Sequence, residues 1–197
     1  MKRDLMKKVM LMMLLTGLTH FALMAQDEAP VARQGFDRSK LFAGGNFALN
    51  FGNITIVNIS PQLGYRFNRY FAAGVGVNAQ YSSFRTVNAS DGSTYSRENY
   101  GVAGFNIFGR FYPIEQVILQ VQPEANYVWG KIKYYNPTEQ FKLDGKMVPS
   151  LLLGAGGAIP TGGAGAFIVM AQYDVLQSDR TPYGNKIFFN FGYNFGF

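Results

Sequence analysis

Four charged residues interrupt strand faces that are otherwise neutral: Arg66, Arg110, Glu124 and Asp174. Two kinds of chemistry are open to such a set. Glu124 and Asp174 could act as a general acid and base, or the four could neutralise one another as a buried ion-pair network, since an unpaired charge away from water is costly. Acid–base catalysis needs a nucleophile or a cleft motif beside it, and neither accompanies these carboxylates. The single histidine, His20, lies in a segment that reads as cleavable, and the sequence contains no cysteine. Without them there is no Ser-His-Asp or Cys-His nucleophile, no Cys/His zinc site and no disulfide. The expectation is therefore an ion-pair network, with no catalytic residue, no metal and no cofactor.

His20 falls within residues 1–25, which read as a secretory signal peptide. Lys2, Arg3, Lys7 and Lys8 form a basic start, Val9 to Leu15 an apolar run, and Leu23-Met24-Ala25 a small-residue cleavage site before Gln26. A membrane anchor is the competing reading, but Thr16, Gly17, Thr19 and His20 interrupt the run. Cleavage would remove four cations and Asp4 from a formal charge of +6. Residues 26–39 are polar with mixed charge and read as a short periplasmic lead-in.

The elements that must hold the four charges repeat every second residue from Lys40 onward. Phe71, Ala73, Val75, Val77, Ala79 and Tyr81 alternate with Ala72, Gly74, Gly76, Asn78, Gln80 and Ser82, which is a β period. The same alternation predicts strands near 41–51, 55–67, 100–112, 117–129, 147–159, 167–175 and 187–197. Pro123 suggests a bulge in the fifth, because proline cannot donate to a ladder. Short turns follow the second, fourth and sixth strands. Longer polar loops are expected at 88–97, 136–145 and 178–186.

In the last strand Ile187, Phe189, Phe191, Tyr193, Phe195 and Phe197 share one face, while Asn190, Gly192 and Asn194 lie on the other. A soluble barrel or sandwich would cover its polar exterior with charge. Here the polar faces are Asn, Gln, Ser and Gly, which suits a narrow interior, and the apolar faces suit lipid. Eleven residues at about 3.3 Å each, tilted about 45°, rise about 25 Å, the height of an outer-membrane apolar band. The fold expected over residues 40–197 is all-β: an eight-stranded antiparallel up-and-down transmembrane β-barrel, its last strand pairing with its first.

Signal peptide, eight amphipathic strands and an aromatic final strand together resemble the small outer-membrane β-barrel superfamily that includes the OmpA barrel, OmpX and OmpW. The resemblance covers the whole chain after the signal peptide and is one of layout rather than of a residue motif. It implies location in the outer membrane and an assembly signal in Phe189, Phe191, Tyr193, Phe195 and Phe197, read by the outer-membrane assembly machinery. Since the sequence stops at the barrel, no peptidoglycan-binding domain like that of full-length OmpA is expected to follow.

Eight strands leave an interior that side chains fill, so the expected function is a non-enzymatic structural or surface-interaction role, with a narrow channel for ions or small solutes as the alternative. Outer strand ends and loops carry Arg85, Arg97, Lys131, Lys133, Lys142, Lys146, Arg180 and Lys186 against Asp91, Glu98, Glu139, Asp144 and Asp179. That basic excess suggests contact between Lys131, Lys133 and lipopolysaccharide phosphates. Residues 154–165 are glycine-rich without a phosphate-loop lysine, and the cations form no nucleic-acid stripe. Neither an extracellular partner nor a ligand is indicated.

Overall fold

The computed structural model describes residues 36–163 and 165–196. The expected signal peptide, residues 26–35 of the lead-in, and Phe197 lie outside them. After a single 3-10 turn at Arg38–Lys40 come eight strands: β1 Leu41–Asn50, β2 Ile54–Arg66, β3 Phe71–Val87, β4 Thr94–Phe111, β5 Val117–Tyr135, β6 Thr138–Pro160, β7 Gly165–Asp174 and β8 Phe188–Gly196. Each pairs antiparallel with the next, and β1 pairs with β8, so the sheet is a closed barrel with no open seam along its wall.

The closure follows from what the two terminal strands present to each other. Phe42 to Asn46 pair with Gly196 to Gly192, and small inward residues let the backbones meet. A Cβ on Gly192 would come within 2.2 Å of Asn46 Oδ1 and 2.6 Å of the Gly45 carbonyl oxygen. Only glycine fits this wall position.

Two sequence expectations need correction. No bulge forms at Pro123: the β4–β5 register is the same at Asn106↔Glu124 and at Gly109↔Val121, on either side of it. Pro61 behaves likewise between Ile59↔Ala79 and Gln62↔Gly76. Each proline omits its own ladder bond without shifting the strand. The register shifts fall instead at Thr86/Val87 and at Val128/Gly130. The loop expected at 136–145 is mostly strand, and the one expected at 88–97 is strand from Thr94 onward. In the first hairpin only Asn88–Ser93 turns, and in the second β5 and β6 are joined through Asn136–Pro137. Aromatic packing of Tyr95 on Tyr134 (5.8 Å) and of Tyr134 on Phe141 (6.1 Å) holds these extensions together where a polar loop was expected. At the β3–β4 turn the Asp91 carboxylate is held below its ordinary value by the backbone N–H and the hydroxyl of Ser93.

The wall is consequently uneven. Strands β3 to β6 run 17, 18, 19 and 23 residues, against 10, 13, 10 and 9 for β1, β2, β7 and β8. β2 pairs with β3 only as far as Phe84, and β7 pairs with β6 only as far as Leu152. The outer ends of β3 to β6 therefore continue past the rim as a four-stranded sheet.

Inside, the short-turn end is filled by an apolar cluster of Phe42, Ala72, Phe108, Tyr112, Ile118, Ile168 and Met170. A polar layer lies above it, and Val102, Val128 and Val148 form a second apolar cluster toward the other end. The outside of the barrel wall below the projecting sheet is largely apolar, with Phe105 at 59% and Phe191 at 59% exposure.

Adding a side chain at the seam should weaken closure. Gly192→Val is expected to destabilise the barrel by about 1–3 kcal/mol through overpacking. Gly109→Val, at an outward position where a Cβ meets nothing within 4 Å, should be neutral. The temperature at which compact, fast-migrating protein converts to the unfolded band on a detergent gel measures both. Equal behaviour of the two variants would refute the seam argument.

Candidate functional site

The polar layer is built on β5. Gln120, Gln122, Glu124 and Asn126 are successive inward residues and all are buried. Neighbours on one strand face are close enough for amide side chains to join. Arg110 Nε donates to Gln120 Oε1 (2.6 Å), Gln120 Nε2 donates to Gln122 Oε1, and Gln122 Nε2 donates to Glu124 Oε1 (2.6 Å). A second chain reaches the same carboxylate from the neighbouring strands β3 and β4. Asn106 donates to Asn78 (2.8 Å), Asn78 to Asn126 (3.1 Å), and Asn126 to Glu124 Oε2 (2.9 Å). A guanidinium only donates and a carboxylate only accepts, so every amide between Arg110 and Glu124 is forced to point the same way.

This arrangement replaces the expected contact ion pairs. Among the described residues, none of Arg66, Arg110, Glu124 and Asp174 touches an opposite charge. Arg110 also donates to Gln62 (2.8 Å) and lies 4.5 Å from the Phe108 ring centroid. Arg66 sits at the short-turn end over the Tyr112 ring at 4.8 Å and is exposed. The cations stand toward one end and the carboxylates toward the other because inward positions on neighbouring strands set them there. Amides span the gap from Arg110 to Glu124.

Asp174, at the end of β7, organises the connection that follows. Its Oδ1 accepts the backbone N–H groups of Leu151 (3.0 Å) and Leu176 (3.1 Å), and its Oδ2 accepts the Thr181 hydroxyl (2.6 Å). Tyr183 then reaches inward and donates to Glu124 Oε2 (2.5 Å), its ring stacked on Phe188 at 4.6 Å and 9°. The segment expected as an external polar loop is thus fastened to both interior carboxylates. Each carboxylate thus accepts three hydrogen bonds, Glu124 from side chains alone and Asp174 from two backbone N–H groups and one hydroxyl. Sequence reasoning missed Tyr183. The available signal was Phe188, an aromatic ring on the otherwise small-residue face of β8, which required an inward partner. Four buried atoms, Asn106 Oδ1, Arg110 Nη1, Ser150 Oγ and Gln172 Nε2, have no protein partner.

The outer face of the projecting sheet forms a second site. Tyr81, Gly101 and Trp129 are paired in one outward row. Two residues further out Ser83, Asn99, Lys131 and Lys142 make the next, and beyond it come Arg85, Arg97, Lys133 and Gln140. Lys131 and Lys133 are thus about 7 and 13 Å beyond Trp129 along β5. Three like-charged pairs face each other across strands: Arg85 with Arg97, Arg97 with Lys133, and Lys131 with Lys142. Arg85 Nε donates to Thr94 (2.8 Å), and Lys133 lies over the Tyr135 ring at 4.8 Å. On β8, Phe189, Phe191 and Phe195 are exposed on the outer wall, and Tyr193 bonds Thr161 (2.7 Å) with its ring against Phe167. Among the described residues no group of three or more His, Cys, Asp or Glu could hold a metal ion.

No family model and no curated protein sequence matches the chain. Among solved structures it is similar to the crystal structure of Ail, the attachment invasion locus protein of Yersinia pestis. The two share 16% identity and a TM-score of 0.41, over 80% of this chain and 94% of that one.

Because the amide chains converge on an obligate acceptor, Glu124→Gln should destabilise the barrel by about 1–3 kcal/mol. The new amide turns an N–H toward at least one of Gln122, Asn126 and Tyr183. Urea unfolding in micelles reads this cost, and unchanged stability would sink the converging-relay description. Tyr183→Phe should leave the barrel folded while making residues 175–187 more susceptible to limited proteolysis.

Proposed function

We propose that this chain is a non-enzymatic integral outer-membrane β-barrel protein with a surface-interaction role, exported by its N-terminal segment. The observation that carries the reading is the wall itself, a closed sheet whose outer face is apolar and whose polar groups point inward. In water so continuous an apolar exterior would drive association, whereas in a bilayer a closed barrel is one of two ways to leave no backbone group unpaired. The exposed aromatic row of β8 fits recognition by the assembly machinery, with Phe189, Phe191, Tyr193 and Phe195 on its outward face.

A plugged lumen is the reading favoured over a narrow channel. The apolar cluster of Phe108, Ile118 and Met170 stands in the path of any hydrated ion, and the amide chains fill the layer above. Wild-type protein in planar bilayers should show no steady ionic conductance. Reproducible single-channel steps would favour the channel instead.

The interaction surface is the projecting sheet. Its cationic rows begin one step beyond the aromatic row of Tyr81 and Trp129, at the depth of lipid phosphates when the aromatics lie at the membrane interface. Like charges directly opposite across strands are unfavourable by a few tenths to about 1 kcal/mol each, and bound phosphate would relieve that repulsion. Lipopolysaccharide is therefore the proposed contact. Replacing Lys131 and Lys133 together by Glu should reduce lipopolysaccharide retained through purification at least severalfold without altering the barrel's gel-shift temperature. Unchanged retention would exclude this contact.

A further inference from the structure

The rim of the barrel encloses a cavity of about 500 Å³ between the long hairpins and the β7–β8 connection. Its walls are apolar at Ile56, Phe84, Val102, Val128 and Leu143, with neutral polar groups from Gln80, Ser82 and Thr181 between them. Tyr100 contributes a ring packed on Phe84 at 6.2 Å. Among the described residues, Arg180 is the only cation lining it.

The position of Arg180 is fixed from below. Thr181 is fastened to Asp174 and Tyr183 to Glu124, while Arg180 itself has φ 66 and donates through Nη1 to the Asp144 carbonyl oxygen (2.9 Å). Its guanidinium therefore meets a carbonyl, and no carboxylate among the described residues, the neighbouring Asp179 and Asp144 included, forms an ion pair with it. The Glu98 carboxylate on β4 is engaged by the Tyr100 hydroxyl (2.8 Å) and does not line the cavity. A half-enclosed apolar chamber of this size with one fixed, unneutralised guanidinium has the composition of a small-ligand site. The guanidinium selects the charge, and the aliphatic and aromatic walls select the body.

We propose that this mouth cavity binds a small amphipathic acid, an apolar body bearing one carboxylate, with the carboxylate on Arg180 and the body between Phe84, Val102 and Val128. The site stands on the barrel geometry and does not depend on the lipopolysaccharide contact. Trp129, the single tryptophan of the sequence, faces outward beside Val128 and borders the cavity, so its emission responds to occupancy while calorimetry measures binding directly.

The test uses the full chain in phosphatidylcholine nanodiscs titrated with 4-phenylbutyrate, followed by Trp129 emission and by calorimetry. Incorporation into the discs, read separately by size exclusion, tests the membrane reading and not the site. Saturable binding is expected, about tenfold tighter than that of 4-phenylbutanol. Arg180→Gln, in an exposed segment, should bring the acid down to the alcohol's affinity and leave the alcohol unchanged. Val128→Phe, or Leu143→Phe on the projecting hairpin should the first not fold, should abolish binding of both. No saturation in either readout overturns the proposal. So does 4-phenylbutylamine binding as tightly as the acid, or an Arg180→Gln variant that keeps the acid's advantage.

Discussion

A carboxylate buried in the middle of a closed sheet must find donors there, and the interior of this protein is arranged around meeting that need at Glu124. No cation touches it. Its acceptors are filled by Gln122, Asn126 and Tyr183, each of which is in turn set by another group behind it. An isolated pair would have to bring two long side chains into contact at one position. Amide chains let the charge on Arg110 and the charge on Glu124 stay where their strands place them and still communicate, since aligned amides polarise one another in a low-dielectric interior. The uncharged Asn and Gln of the inward faces are thus the connecting medium between charges and not mere filler for a polar lumen.

The barrel was legible in the sequence because parity was. With a period of two, each outward Phe and Val implies an inward Gly, Asn or Gln, and an apolar outside with a nearly charge-free inside leaves few architectures open. The closing pairing of β8 with β1 followed from the same rule and is what the structure has. Parity does not say how far a strand runs beyond its amphipathic part. Residues 88–97 and 136–145 carry enough polar side chains to read as loops, yet across-sheet packing of Tyr95, Tyr134 and Phe141 makes much of them strand. The interior charges were identifiable by type and not by partner. Which inward residues meet depends on register between strands, and no one-strand pattern contains it. The inward fold of Tyr183 depended on Asp174 accepting three donors, a tertiary fact to which the inward ring of Phe188 was the one local pointer.

The two ends of the molecule are built differently, and each difference has a physical source. Tight turns at one end bring Phe42, Phe108, Tyr112 and Ile118 together, so that end has a small hydrophobic core inside the sheet. At the other end the strands differ in length, and four of them continue alone. Once β3 to β6 leave their neighbours, nothing forces their outer face to remain apolar, and it turns cationic within two residues of Trp129. The concentration of Arg85, Arg97, Lys131, Lys133 and Lys142 on one face works against the sheet's own stability. Bound anions would relieve that repulsion.

The β7–β8 connection joins these two levels. Within four residues it sends Thr181 and Tyr183 inward to the two carboxylates and leaves Arg180 at the rim. Ser178 adds a bond to the Pro149 carbonyl (2.7 Å), so the segment lies along the β6 edge that β7 has left unpaired. A rim guanidinium on a free loop would lose much of its binding free energy to ordering on each encounter. Here the ordering is already supplied by hydrogen bonds to buried acceptors, whose own geometry is set by the amide chains. The interior network thereby fixes the shape and the charge of the mouth above it.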